Sequence, residues 1–327
     1  MAATMVPDIS ARPEVLPTDR LLPNGMAVPV IRAELRTIAN ARNACTVISV
    51  WAYVALIIGG ALWLNAWWGY LIAFALMGSM YARFAILMHE AAHKLLFTNK
   101  TWNDWIGTWA IAYPVFTPVQ LYRRVHFAHH KDEFGPNEPD MAFYAPYQCT
   151  RAALRRRLIR DAVGISGWKN FTPLVKGARS GGFARIARSI FAVQALIWAA
   201  MWLATGRWWI YPVLWWLPWM TEWRVINRLR SIAEHGGMER SKDRRATTHN
   251  VRQSLLARFW IVPFNTGWHL AHHVDMGVPW RNLPAYHREL EQAGYITDAI
   301  TYSSYWALWL DLSNAPAEQP LEQAEAA

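Results

Sequence analysis

WGYLIAFALMGSMYARFAILMHEAAHK, residues 68–94, runs from an apolar stretch straight into a pair of histidines with no helix breaker between them. About 20 helical residues cross the ~30 Å hydrocarbon core of a bilayer, and Trp68 to Leu87 supplies that length with one charge, Arg83, near its inner edge. His89 and His93 lie four apart and therefore on one helical face. The stretch predicts a membrane helix that continues past the lipid and delivers half of a metal site to the water side.

Two more clusters repeat the pattern. HFAHH places His126, His129 and His130 at helical spacing, and HLAHH does the same for His269, His272 and His273. A zinc ion is satisfied by three or four protein ligands, whereas eight imidazoles fill the shells of two transition-metal ions and leave positions open for oxygen. The paired Glu-x-x-His motifs of soluble ferritin-like di-iron bundles do not accompany them.

Composition sets the class. Apolar residues make up 54% of the 327, with 21 tryptophans, and they collect in runs of spanning length. Cys45 and Cys149 form no CxxC pair, so neither a disulfide framework nor an iron–sulfur site is encoded in the sequence, and electrons must come from elsewhere. The net charge of +10 suits a membrane surface, since no groove-reading motif points to nucleic acid. Arg151, Arg155, Arg156, Arg157, Arg160, Lys169, Lys176, Arg179, Arg185 and Arg188 face only Asp161, as in a cytoplasmic loop against anionic headgroups. An acidic redox partner would fit the same face.

The expected fold is an all-α integral membrane protein. Four transmembrane helices in two hairpins (about 45–64 with 68–87, and 190–205 with 208–223) carry a cytoplasmic helical cap that bears the histidine clusters. Residues 1–24, with four prolines, read as a mobile tail, 25–43 as an interfacial helix, 44–310 as the membrane domain and 311–327 as a disordered tail. Trp102 to Tyr122, broken by Pro114 and Pro118, reads as a re-entrant or surface-lying segment. PNEPD, residues 136–140, reads as a structured turn beside the metals. Basic residues flanking the spans put both termini and all clusters in the cytoplasm.

Three histidine boxes on one side of two hairpins resemble the membrane fatty-acid desaturase and hydroxylase superfamily over roughly Cys45 to His287. The resemblance implies a centre of two iron ions, O2 as oxidant, and an acyl or other long apolar chain as substrate. It also implies a further ligand between the second hairpin and the last box, where IAEHGG offers His235. Acyl-CoA desaturases carry an asparagine one turn before that histidine. Here Ser231 stands there, with Asn227 two turns back, which weighs against a CoA thioester. HFAHH has the desaturase spacing, and HHVDMGVPWRNLPAYH is similar to the bacterial acyl-lipid desaturases.

Neutral imidazoles cancel none of the charge on two divalent ions, so nearby carboxylates are expected to orient the rings and offset the field. Glu90 and Glu234 adjoin proposed ligands, and Asp140 and Asp275 are placed for the same work; His249 and His287 read as surface histidines. The expected activity is O2-dependent desaturation of an acyl lipid, with hydroxylation of a lipid, alkane or carotenoid as the alternative. HEAAH also fits the HExxH pattern of an intramembrane zinc protease, a reading that leaves six box histidines idle; a metal carrier is the non-enzyme alternative. No HPGG haem signature appears, so a separate ferredoxin, rubredoxin or cytochrome b5-type donor with its reductase is expected.

Overall fold

The computed structural model describes residues 4–315. After a 3-10 turn at Ile9–Ala11, the chain forms α1 (Pro29–Leu35), α2 (Asn40–Leu64) and α3 (Trp67–Ala92). α4 (Lys100–Ile106) passes into a π-helical turn, Gly107–Ala112, and a 3-10 turn, Tyr113–Val115, before α5 (Val119–Lys131). Then come α6 (Met141–Tyr144), α7 (Arg151–Ala162), α8 (Ile165–Arg179) and α9 (Ala184–Thr205). A π-helical turn at Pro212–Trp216 leads into α10 (Leu217–Met220) and α11 (Glu222–His235). The remaining elements, together called the cap, are β1 (Asn250–Val251), α12 (Leu255–Trp260), α13 (His269–Val274), α14 (Leu283–Gln292), β2 (Thr301–Tyr302), parallel to β1, and α15 (Tyr305–Leu312).

Among the described residues three helices are long and apolar enough to cross a membrane, those containing α2, α3 and α9. Asn65 ends α2 in the left-handed region at φ 44°, and α3 returns along it after only Ala66. Gly206, at φ 66°, ends α9 in the same way. α3 is the central helix: 67% of its apolar window is buried, against 28% and 22% for the other two, whose free faces suit lipid. At 1.5 Å per residue its 26 residues extend about 39 Å, beyond a ~30 Å hydrocarbon core, so its last turns reach out with His89. The segment expected as a fourth span is helical but interrupted. Pro218 lacks the N–H for a bond four residues back, and Thr221 departs from helical geometry at φ −119°, ψ −82°.

The N-terminal segment corrects the expectation of a mobile tail. Leu21 is 1% exposed and joins Leu35, Leu270, Val274, Tyr286 and Leu290 in a second core within the cap. Arg20 makes a two-pronged pair with Glu289, Arg12 meets Asp243, and buried Arg245 donates to the carbonyl of Pro13. Isolated anchors along an extended, proline-stiffened strand leave no periodic signal, which is why composition misreads the segment. The interfacial helix expected over 25–43 is also shorter. It ends at Leu35, and Asn40 to Asn43 already belong to α2, tied by side-chain hydrogen bonds of Asn40 to Thr98 and of Asn43 to the Leu96 carbonyl. At the other end, Leu312 and Ser313 are buried and the Ala315 N–H bonds to the Cys149 carbonyl, so 311–315 are not a tail; 316–327 lie outside the described residues.

Candidate metal centre

All three clusters meet beneath α3. α3 supplies His89 and ends at His93; α5, starting after Pro118, supplies His126, His129 and His130; α13 supplies His269, His272 and His273; and His235 closes α11. The nine rings are all buried.

They divide into two sets. His89, His93, His126, His130 and His272 each bring one ring nitrogen within 4.8 Å of the others, and His129, His235 and His273 do the same. His269 joins the second set, its Nε2 3.0 Å from that of His273 and 3.2 Å from that of His235. In the first set the Nε2 atoms of His93 and His126 are 2.9 Å apart, those of His126 and His130 3.0 Å, and those of His130 and His272 3.1 Å. Two nitrogens that bind one ion at ~2.1 Å and a right angle stand about 3.0 Å apart, the spacing seen. His89 has both ring nitrogens buried without a partner, which a buried polar group tolerates only if something absent from the chain takes them. The residues fit a pair of metal ions. The sets abut, with the His130 and His273 rings 4.4 Å apart.

Outside the rings the two sets differ. In the four-histidine set, Glu138 faces Nδ1 of His129 at 3.0 Å and Glu133 faces Nδ1 of His273 at 2.6 Å. The Thr247 carbonyl is 2.8 Å from Nδ1 of His235, and Glu234 is 3.6 Å from Nδ1 of His269. A partner on Nδ1 fixes the tautomer and points Nε2 at the ion. Arg244 pairs with Glu133 and Arg230 with Glu234, while Glu138 accepts from N–H groups of His129, Phe134 and Asp140 and has no arginine partner among the described residues. The five-histidine set has less support: Nδ1 of His89 and of His272 lack any partner, and Glu90 stands 3.7 Å from His89.

Burial, and then the neighbouring rings, hold His126, His130, His269, His272 and His273 well below the ordinary histidine pKa. These rings are neutral near pH 7, the form that binds metal. His129 is the exception, for although burial pulls it down, the hydrogen bond and charge of Glu138 raise it.

The expected carboxylates fare differently. Glu234 lies beside His269, and Asp140 groups with His129 and Glu138. Glu90 accepts the Trp280 N–H at 3.3 Å. Asp275 is not in the cage: Arg32 of α1 and Arg36 just after it hold it, fastening the N-terminal segment to the end of α13. His249 and His287 are buried rather than on the surface. His249 Nε2 donates to the Gly236 carbonyl at 2.7 Å, and neither joins a set. Sequence reasoning missed Glu133 and Glu138. Glu133 stands three residues after His130 and Glu138 inside PNEPD, so their proximity to HFAHH was the available signal. Arg230, Arg244 and the Thr247 carbonyl gave none. Ser231 bonds to the Asn227 carbonyl within α11.

Spanning-length helices with a buried histidine cage define a membrane-associated metal-binding protein. Residues 62–306 match the fatty acid desaturase family, and the chain belongs to that family. It is 25% identical over 261 residues to the dihydrorhizobitoxine desaturase of Bradyrhizobium elkanii, covering 72% of each chain. It is 23% identical over 265 residues to a chloroplastic omega-6 fatty acid desaturase of Arabidopsis thaliana, covering 75% of this chain and 58% of that one. It is 22% identical over 247 residues to the sn-1 acyl-lipid omega-3 desaturase (ferredoxin) of Synechocystis, covering 68% and 67%. The chain thus spans little more than half the length of the Arabidopsis relative. The protein is an oxidoreductase of the desaturase type.

Proposed function

We propose that the enzyme removes two hydrogens from adjacent carbons of an acyl chain carried on a lipid, using O2 and a pair of iron ions held by the nine histidines. The observation that carries this reading is the division of nine buried imidazoles into five and four, with ligand-like nitrogen spacings in both sets. Bound iron would activate O2, which with two electrons from the donor has the oxidising power to take hydrogen from an unactivated methylene. The chain's own residues do the rest. Neutral imidazoles bind the ions, Glu133, Glu138 and Thr247 hold the rings in register, and the enclosing helices keep water away. The Glu90 carboxylate accepts a backbone N–H from Trp280 beside a full histidine cage, an arrangement that favours the desaturase reading over a single-zinc protease.

We place the interrupted segment Trp208 to Trp223 as a fourth pass, with both termini and the cage on the cytoplasmic side. The electron donor is a separate redox protein with its reductase, and a ferredoxin is the first to test because a relative's name carries it. Purified enzyme, reconstituted with donor and reductase and supplied with acyl lipid, is expected to contain two irons per chain and to give products lighter by two hydrogens. Products heavier by one oxygen, or one zinc in place of two irons, would overturn the proposal.

A further inference from the structure

Trp268, immediately before the third histidine cluster, borders a cavity of about 290 Å3 that contains none of the nine cage histidines. Arg252, Gln253, Arg258, His287 and Arg288 also line it. The two carboxylates on its wall are already engaged: Asp298 pairs with Arg252 at 2.8 Å and Glu291 meets His287 Nε2 at 3.2 Å. The Arg258 guanidinium carbon sits 4.9 Å from the centre of the Trp268 ring, and its N–H groups have no ion-pair partner among the described residues. Arg288 has no ion-pair partner among the described residues. Arg258 and Arg288 thus hold no ion pair, and the three arginines of the wall exceed its two carboxylates by one positive charge. Gln253 and His287 complete this wall, but their unpartnered atoms, Oε1 and Nδ1, have no accessible surface and do not face the open volume.

The mouth of the cavity points to an occupant. Arg258 belongs to α12, which presents Leu255, Leu256 and Phe259 at 84%, 72% and 36% exposure. Arg83 of α3 donates to the Phe259 carbonyl at 3.1 Å and covers its ring at 4.7 Å. Arg83 precedes His89 by six residues, about 9 Å along the helix, so α12 lies where α3 leaves the hydrocarbon. Exposed leucines beside unpaired arginines at that depth are the pattern of a helix seated among phospholipid headgroups.

We propose that this cavity holds the phosphate-bearing headgroup of a glycerophospholipid, with Arg258 and Arg288 gripping the phosphate. Guanidinium forks match phosphate oxygens in pairs, and the apolar lip of α12 favours a lipid-borne phosphate over a free one. The inference deepens the acyl-lipid reading, on which it rests, by naming the carrier: a phospholipid rather than a neutral glycolipid or a free acid. Because Trp268 is the residue before His269, an occupied cavity also steadies the start of α13.

The test is native mass spectrometry of the detergent-purified, iron-loaded chain with phosphatidylglycerol, with a galactolipid of the same acyl chains, or with millimolar inorganic phosphate. The wild type is expected to retain one phosphatidylglycerol in preference to the galactolipid, and inorganic phosphate should not displace it. Arg258→Gln/Arg288→Gln should reduce retention tenfold or more, from the loss of two charge-assisted contacts, while Arg240→Gln, at an exposed pair outside the cavity, should leave it unchanged. Iron content and melting temperature establish that the variants are folded, and Arg288→Gln alone serves if the double variant is not. Equal retention of the two lipids, unaltered retention by the variants, or displacement by inorganic phosphate would overturn the proposal. If headgroup retention behaves as expected but no acyl chain loses hydrogen, the site stands and the activity assigned above fails.

Discussion

Replacing Glu138 by glutamine changes one charge and almost no volume, and the structure makes the outcome specific. The Glu138 side chain is fully enclosed and accepts from Nδ1 of His129 at 3.0 and 3.1 Å, with backbone N–H groups of Phe134 and Asp140 at 3.3 and 3.2 Å. A hydrogen bond to a charged group contributes about 1.5–3 kcal/mol and a neutral one about 0.5–1.5. The exchange therefore costs about 1–1.5 kcal/mol at the ring, or roughly tenfold in metal affinity, at the lower end of the ~10–100-fold range for carboxylates behind metal-binding histidines. The loss belongs to the four-histidine set, because no ring of the five-histidine set touches Glu138. Anaerobic titration of metal-stripped protein with Fe(II) should show one binding step weakened about tenfold and the other unchanged. Combining the substitution with His89→Ala, which removes a five-set ligand, identifies the step: the metal that remains should be the weakened one. Unaltered affinity, or equal weakening of both steps, would refute the argument that this carboxylate orients His129.

Three other outcomes follow from the same geometry. A Cβ on Gly167 of α8 would come 2.1 Å from the Met220 carbonyl oxygen, so Gly167→Ala should lower stability by about 1–3 kcal/mol, read as a fall in melting temperature. Deleting residues 4–24 removes the Arg20–Glu289 and Arg12–Asp243 pairs and uncovers Leu270 and Val274. Limited proteolysis should then cut the cap within 269–292 much faster than in the full chain. Acid should act through the depressed histidines. Above pH ~6.5 they are neutral both folded and unfolded, and below it the unfolded chain takes up protons that the folded chain refuses. Metal retention and stability should therefore be full above that pH and fall as it drops, with a steeper loss than in a variant lacking His269, His272 and His273.

What the sequence disclosed depended on whether the information was local. Cluster spacing and the apolar lengths of α2, α3 and α9 are properties of short stretches, so the convergence of HEAAH, HFAHH and HLAHH and the three long apolar helices could be anticipated. His235 was proposed only through a family likeness, and its Nε2, 3.2 Å from that of His269, now gives it a physical place. The second row was illegible because its members arrive from far along the chain. Glu133 is set by Arg244, 111 residues later, and His235 is held by a backbone carbonyl, which no side-chain pattern reveals. Asp275, chosen for its nearness to His273, failed for the complementary reason: Arg32 and Arg36, on a helix expected merely to float on the headgroups, claim it.

That pairing gives the N-terminal segment its function in the fold. Strapped by Arg20, Arg12 and Asp275 across α13 and α14, it packs against the helix of the third box. α13 has only six residues, too few to be stable as an isolated helix. Its three imidazoles hold their spacing because α1, α14 and the strap pack around Leu270, Ala271 and Val274, so the precision of the cage rests in part on residues that composition alone assigns to a tail.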